Sequence, residues 1–170
     1  MKIENQICSF KQAIRLKKLG VVQRSLFHYV NNWATPNGYS IDDGQHIISV
    51  GEQHITRLAG RKRGVEVEFV SAFTAMELGQ LLPHMLPSDI VEYGLVLMQS
   101  FPDGKEQDYY MASYVEVYSD LDYGETAHSY SADSEAASRA GLLLDLIETG
   151  VVKVDDINTK YSPEENECYF

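Results

Sequence analysis

Three segments of the chain carry apolar residues at helical spacing behind a capping signal. In the first, Ser9 and Gln12 form an S-x-x-Q capping box. Apolar residues then recur at intervals of three and four up to Leu19, and Gly20 suits the position after a helix. The pattern predicts a first helix over residues 9–19 whose polar side is basic.

The second segment combines a capping box with a hydrophobic staple. Thr74 and Glu77 form a T-x-x-E box, and Phe73 and Leu78 flank it at the two staple positions. A second helix is therefore predicted over residues 75–82, ending before a proline. The side of this helix that is predicted to be buried carries Met76, Leu78, Leu81 and Leu82.

The third segment predicts the longest helix, over residues 134–149. Asp133 or Ser131 is its predicted cap, and Gly150 suits the position after its end. Its apolar residues at helical spacing are Ala136, Ala140, Leu143, Leu144 and Ile147.

Strand patterns occupy the segments between these helices. They are short runs of aromatic and β-branched residues, some of which alternate between apolar and polar positions. The last two flank a Pro-Asp-Gly-Lys turn at residues 102–105, which predicts a hairpin. The predicted strands lie within residues 26–30, 46–55, 65–70, 95–101 and 109–118.

The order of these elements predicts the fold class. A helix, strands, a helix, a long hairpin and a final helix are typical of an α+β domain. We expect one antiparallel sheet with about three helices packed mainly on one face. Residues 1–160 are predicted to form this single domain, and the acidic residues 161–170 are predicted to fray.

Charge is divided unevenly along the chain. Residues 1–65 hold ten Lys/Arg against four Asp/Glu, a balance of +6, whereas residues 66–170 hold four against twenty-one, a balance of −17. Such asymmetry predicts interaction surfaces of opposite sign. The net charge of −11 disfavours nonspecific binding to nucleic acid and to anionic membranes.

The basic residues form two local elements that predict a nucleic-acid site as an alternative function. Residues 17–26 resemble a helix, a glycine turn and a second helix, although residues 25–30 suit a strand better. The second element, around residues 57–63, also suits a solvated hairpin tip. The candidate phosphate-binding residues are Lys11, Arg15, Lys18, Arg57, Arg61, Lys62 and Arg63.

A region rich in tyrosine and acid is the strongest candidate for a protein-binding surface. Six of the eleven tyrosines lie between residues 109 and 130, and tyrosine is enriched at protein interfaces. A surface of this sign could accept a basic protein. The alternative, which the pattern favours, is that these are sheet residues half buried in the core. The candidate residues are Tyr109, Tyr110, Tyr114, Tyr118, Tyr123, Asp120 and Asp122.

No catalytic or metal-binding motif is evident. The five histidines are scattered without the spacing of a metal site. The acids of residues 120–125 lack the third ligand and the glycine of a calcium loop. The sequence therefore predicts no metal, no cofactor and no identifiable catalytic residue, and an enzyme with an unrecognised site remains a further alternative.

The two cysteines and the hydropathy indicate the compartment. Cys8 and Cys168 belong to no metal-binding pair, so two free thiols are favoured over a disulfide between them. No apolar run approaches the roughly 20 residues needed to span a bilayer. The chain is predicted to be cytoplasmic and not bound to a membrane.

Three separated segments resemble small uncharacterised proteins of phages and integrated mobile elements in Bacteroides-type bacteria. They are ICSFKQAIRLKKLGV at residues 7–21 together with 23–29, AFTAMELGQLLP at 72–83, and EAASRAGLLLDLIETG at 135–150. The resemblance implies a small cytoplasmic accessory protein and assigns no activity or catalytic residue. Taken together, the sequence predicts a non-enzymatic interaction or accessory protein with an unknown protein partner, which could also form homo-oligomers.

Overall fold

The computed structural model describes residues 6–31, 46–49, 68–86, 92–100, 109–117 and 123–160. These ranges contain four helices and seven strands. The helices are α1 (Phe10–Lys18), α2 (Ala75–Leu81), α3 (Glu135–Glu148) and α4 (Val154–Thr159). The strands are β1 (Phe27–Asn31), β2 (His46–Ser49), β3 (Glu68–Ser71), β4 (Met85–Leu86), β5 (Tyr93–Ser100), β6 (Tyr109–Val117) and β7 (Tyr123–Ala132).

Strands β4 to β7 form an antiparallel sheet in chain order. Eight consecutive residue pairs join β5 and β6 without a register shift. This ladder confirms the predicted pairing of residues 95–101 with 109–118. The predicted turn at 102–105 lies outside the described residues.

The sequence did not predict β7, which is the edge strand of this sheet in the described chain. Polar residues occupy positions that a half-buried strand would fill with apolar ones, among them Ser129 and Ser131. Its pairing with β6 also shifts near Val115, so two residues of β7 oppose one of β6 there. An edge strand buries less surface than a central one, which is why its hydrophobic pattern is weak.

Strands β2, β1 and β3 form a second antiparallel sheet with β1 in the centre. This confirms the strand predicted at residues 26–30. The helix-turn-helix alternative is wrong, because residues 21–25 form no helix after Gly20 and β1 begins at Phe27. Tyr29 of β1 is buried, and its hydroxyl donates to the carbonyl oxygen of Cys8 at 2.6 Å.

Both predicted capping boxes are present. The Ser9 hydroxyl accepts the N–H of Gln12 before α1, and the Thr74 hydroxyl accepts the N–H of Glu77 before α2. In each box the third residue's side chain returns a bond to the cap backbone. These reciprocal bonds explain why the two helices begin where the sequence predicts.

The Glu77 carboxylate also accepts hydrogen bonds from residues outside its own capping box. Besides accepting the N–H of Thr74 at 2.7 Å, it accepts the N–H of Leu26 at 2.9 Å and the hydroxyl of Ser25 at 3.0 Å. One side chain thereby joins the start of α2 to the start of β1.

Two details of the predicted helices are wrong. Ser134, and not Asp133 or Ser131, caps α3 by accepting the N–H of Ala137, because β7 continues almost to the helix. Met76 of α2 is 76% exposed, since only one side of this short helix faces the core. The sequence also did not predict α4, which has six residues and no side-chain cap.

Helix α3 is the centre of the core. It packs against β6 and β7, and α1 and α2 pack against α3 on the same side of the four-stranded sheet. One cluster of buried residues runs from Ile7 to Ile157. The α+β class with helices mainly on one face is confirmed, with two sheets and four helices in the described part. The buried side chains of α3 include Leu142, Leu143, Leu144 and Leu146.

None of the helices in the described ranges is long and apolar enough to cross a membrane. The predicted tail, residues 161–170, lies outside those ranges.

Candidate interaction surface

Large apolar side chains are exposed where β5 ends and β6 begins. Leu97 and Met98 of β5 are 40% and 45% exposed, Tyr109 of β6 is 40% exposed, and Tyr130 of β7 is 41% exposed. The register brings them together, because Met98 lies opposite Met111 and Leu97 lies across Ala112 from Tyr130. We call this group the exposed sheet end; it comprises Leu97, Met98, Tyr109, Tyr110, Met111 and Tyr130.

Side chains of the exposed sheet end project to both sides of the sheet. The side facing α3 is identified by His128, whose Nδ1 lies 2.7 Å from Oδ2 of Asp145. It is also identified by Tyr130, whose ring would lie 2.2 Å from a Cβ built on Gly141 of α3. Because side chains alternate along a strand, Leu97 shares this helix side, whereas Met98 lies on the opposite, outer side.

The outer side of the four-stranded sheet is uncharged in its register-paired residues. This is informative in a chain with 39 charged residues, the sum of its 14 Lys/Arg and 25 Asp/Glu. Its centre is buried, since Ser113 is 0% and Val115 7% exposed. Its exposed apolar area is therefore concentrated at the ends. The paired outer residues whose side chains are described are Met85, Gly94, Val96, Met98, Tyr109, Met111, Ser113, Val115, Val117, Thr126, Ser129 and Ser131.

A shallow cleft of about 170 Å³ adjoins the exposed sheet end where α3 begins. Tyr110 lines it from the sheet, and Glu135 and Ser138 line it from the helix. The Glu135 carboxylate forms an ion pair with Arg139 one turn later in α3. This cleft gives the exposed sheet end a polar margin on its helix side, where the Glu135 carboxylate is paired with Arg139.

The tyrosines predicted as an interaction surface separate into two environments. Tyr109 and Tyr110 belong to the exposed sheet end, whereas Tyr114 is fully buried. The Tyr114 hydroxyl donates to the carbonyl oxygen of Pro83 at 2.5 Å, and burial raises its pKa above the ordinary tyrosine value. Its assignment to a surface is therefore wrong, because it is a core residue under the helix layer.

The other predicted interaction residues are not brought to this surface by the described structure. Tyr123 is the first residue of β7, and only its backbone is described. Tyr118, Asp120 and Asp122 lie outside the described residues. Sequence reasoning missed Leu97, Met98 and Met111, although the large side chains on both faces of strand 95–101 were a signal. It counted Tyr130 within the tyrosine-rich region but not among the candidate residues.

The predicted basic surface is only partly described. Lys11 and Lys18 are exposed on α1, and Arg15 of the same helix forms an ion pair with Glu148 at 2.5 Å. Arg15 is therefore occupied by an acid of α3. The segment that contains Arg57, Arg61, Lys62 and Arg63 lies outside the described residues.

The His128–Asp145 pair is the arrangement closest to acid–base chemistry. A carboxylate that orients an imidazole is one part of a catalytic triad. Within the described chain, however, no hydroxyl or thiol is hydrogen-bonded to the His128 ring. The described residues also contain no group of three or more His, Cys, Asp or Glu side chains able to hold a metal ion. The pair therefore ties β7 to α3 and offers no nucleophile.

A second cleft, of about 140 Å³, lies between α4 and the end of α2. Its charged side chains are Asp156 and Lys160, and Nζ of Lys160 donates to the carbonyl oxygens of Gln80, Leu81 and Leu82 at 3.1–3.3 Å. Burial lowers the pKa of this ammonium group. Because its donors already satisfy the last carbonyls of α2, Lys160 acts as a helix C-cap and is not available to a ligand.

Cys8 is a buried free thiol, and burial raises its pKa to about 12. Since the thiolate is the reactive form, Cys8 is not a candidate nucleophile. Cys168 lies outside the described residues.

Comparisons of the chain with protein-family models, with curated proteins and with solved structures gave no match. The resemblance to small phage and mobile-element proteins therefore stays a prediction, and the exposed sheet end is the feature from which a function can be argued.

Proposed function

We propose that this chain is a non-enzymatic interaction protein that binds a protein partner through the exposed sheet end. The observation that carries the proposal is the group of four large apolar side chains, each about two-fifths exposed, at one end of the four-stranded sheet, with Leu97 and Tyr130 on its helix side and Met98 and Tyr109 on its outer side. Single exposed apolar residues are ordinary on a protein surface, whereas several at one place indicate an interaction site. The implied role is that of an accessory protein of a phage or mobile element.

The residue types at this end suit a binding surface. Met98 and Met111 are flexible and polarizable, so they adapt to the shape of a partner. Tyr109 and Tyr130 can bury their rings while their hydroxyls remain hydrated or bonded. Because each side chain is about two-fifths exposed, burying the remainder in a complex would contribute about 0.6–1.2 kcal/mol per residue.

The surroundings of the exposed sheet end indicate the chemistry of the partner. Asp133 is exposed beside it, and Glu135 lines the adjoining cleft. The segment from residue 66 onward carries a balance of −17. A partner with an apolar centre and a basic rim would complement this surface, and opposite charges around an apolar contact mainly raise the rate of association.

The proposal is tested by affinity capture from bacterial lysate with three forms of the full chain. Met98→Asp places a charge in the exposed sheet end. Met76→Asp is the matched control, because Met76 is even more exposed but lies on α2. We expect a set of proteins that the wild type and Met76→Asp retain equally and that Met98→Asp retains at least about tenfold less.

Binding of that set to immobilised wild type should then be reproduced with each purified candidate. Equal retention of every captured protein by all three forms, or no captured protein at all, would count against the proposal. Circular dichroism of each variant confirms that the substitution has not unfolded the chain.

A further inference from the structure

Strand β7 has an unpaired outer edge in the described part of the chain. It is the last strand in the order β4-β5-β6-β7, and its ten residues make it the longest strand described. A strand at the edge of a sheet presents N–H and C=O groups that can pair with another strand. The question is therefore which residues of β7 present these groups.

Hydrogen bonds between the other strands of the sheet show which residues of β7 present these groups. The N–H of Val117 in β6 donates to the backbone carbonyl of Glu92, just before β5. The N–H of Leu95 in β5 donates to the backbone carbonyl of His84, just before β4. Peptide groups alternate in direction along an antiparallel strand. The even-numbered residues of β6 therefore point toward β7, and their partners include Tyr114↔His128, Ala112↔Tyr130 and Tyr110↔Ala132.

It follows that Ser129 and Ser131 direct their peptide groups away from β6, toward the outer edge. Natural edge strands usually carry protective features such as lysine, proline or an inward-pointing charge. Between His128 and Ala132 the edge has none of these, since Ser129, Tyr130 and Ser131 are all uncharged and exposed. The register shift that disturbs β7 lies earlier, between the partners of Tyr114 and Val115.

We propose that β7 pairs antiparallel with β7 of a second copy of this chain, about a two-fold axis at Tyr130. The sequence Ser129-Tyr130-Ser131 is symmetric about its centre, so a two-fold axis at Tyr130 places a serine of each copy opposite a serine of the other. Ser129 of one copy lies opposite Ser131 of the other, and each pair exchanges N–H···O=C bonds in both directions. The two four-stranded sheets become one continuous sheet.

The two copies also match in side chains. At the two-fold axis the two Tyr130 residues form a directly opposed pair, and cross-strand aromatic pairs stabilise antiparallel strands. His128 lies opposite Ala132, so no charged residue faces a like charge between residues 128 and 132. The net charge of −11 on each copy still repels at a distance, so salt should strengthen the association.

This dimer shares Tyr130 with the exposed sheet end but does not use Met98, the residue that tests the proposed partner surface. Met98 lies two strands away from β7 on the outer side, so it stays exposed in the paired sheet. A basic or apolar protein partner and a second copy can therefore be separated by mutation.

Analytical ultracentrifugation of the full chain tests the pairing. We expect a species of twice 19.2 kDa at micromolar concentrations, which increases between 50 and 500 mM sodium chloride. Ser129→Pro removes an outward N–H without removing a bond to β6, and proline is tolerated at such edge positions. It should weaken the association at least about tenfold, whereas Ser129→Ala should not change it.

Cross-linking provides a second test that does not depend on the folding of the proline variant. Directly opposed residues of a non-hydrogen-bonded pair lie about 4.5 Å apart between Cα atoms, within the range of a disulfide. In a Cys168→Ser background, Tyr130→Cys should therefore form a disulfide-linked dimer on mild oxidation. Thr126→Cys, exposed on the same strand but away from the axis, should not.

A wild type that sediments as a monomer at 200 μM would overturn the inference. So would a dimer that survives Ser129→Pro in a folded protein, or equal cross-linking through residues 126 and 130. A dimer that Met98→Asp dissociates and Ser129→Pro does not would show that the copies associate through the region of Met98, and it would likewise overturn pairing through β7.

Discussion

The two ends of strand β6 show how differently one residue type is used within a few residues. Tyr109, at the start of the strand, exposes two-fifths of its surface, whereas Tyr114 is fully buried beneath the helix layer. Both belong to the same stretch of tyrosines and acids in the sequence. The difference arises because side chains alternate along β6, which places Tyr114 on the side of the sheet that α3 covers and Tyr109 on the outer side. A tyrosine-rich strand therefore contributes to an interaction surface only through the tyrosines that the helix layer does not cover.

The largest difference between the two tyrosines should appear in the free energy of unfolding when each is replaced by alanine. Tyr114→Ala removes a fully buried ring and its bond to Pro83, so we expect it to lower the free energy of unfolding by about 3–5 kcal/mol. Tyr109→Ala should change it by less than about 1 kcal/mol. Urea denaturation of both variants measures the difference. Similar values for the two would show that the contrast between the ends of β6 does not exist.

A smaller effect is expected where the helix layer meets the exposed sheet end. A Cβ at Gly141 would lie 2.2 Å from the Tyr130 ring, so Gly141→Ala should force the ring outward and lower the free energy of unfolding by about 1–3 kcal/mol. The control is the same substitution in a Tyr130→Ala background, where the clash is absent. There, the loss should largely disappear in a double-mutant cycle. An unchanged loss would mean that Tyr130 does not pack on Gly141.

The smallest effect should be a dependence of stability on alkaline pH. Burial raises the pKa of Tyr114 in the folded chain above 10.0, so its hydroxyl stays protonated after an unfolded tyrosine has ionised. The stability that this group contributes is complete below pH 10 and is lost as the pH rises above it. Cys8, with its pKa raised from 9.0 to about 12, contributes in the same direction from pH 9.

Urea denaturation between pH 8 and 11 isolates the contribution of Tyr114. Tyr114→Phe cannot ionise at this position, so its stability should fall less steeply above pH 10 than that of the wild type. Tyr109→Phe is the matched control and should follow the wild type. Parallel curves for Tyr114→Phe and the wild type would contradict the buried, protonated hydroxyl.

The elements that the sequence predicted share strong local signals. The boxes at Ser9 and Thr74 fixed the starts of two helices, because their bonds involve residues only three positions apart. The hairpin followed from two apolar runs around a turn. Strand β7 and helix α4 were not predicted, because β7 is a polar edge strand and α4 is joined to distant residues, as in the bonds of Asn158 to the N–H of Val22 and the carbonyl of Gly20.

The candidate surface was predictable in part. The density of tyrosine pointed to residues 109–130, but burial of Tyr114 depends on α3, which lies later in the chain. The exposure of Leu97, on the helix side, likewise depends on how far that helix extends over the sheet. Which side chains of a strand are buried depends on packing between distant segments, and the residue pattern of that strand alone does not predict it.

The hydrogen bonds of Glu77 couple the solvent protection of two segments that are distant in the sequence. Its carboxylate binds the amides of Thr74 and of Leu26, which are 48 positions apart. A cap that would ordinarily form with its own helix is here shared with a distant strand. In amide hydrogen exchange, these two amides should therefore open together, as one cooperative unit that links α2 to the start of β1.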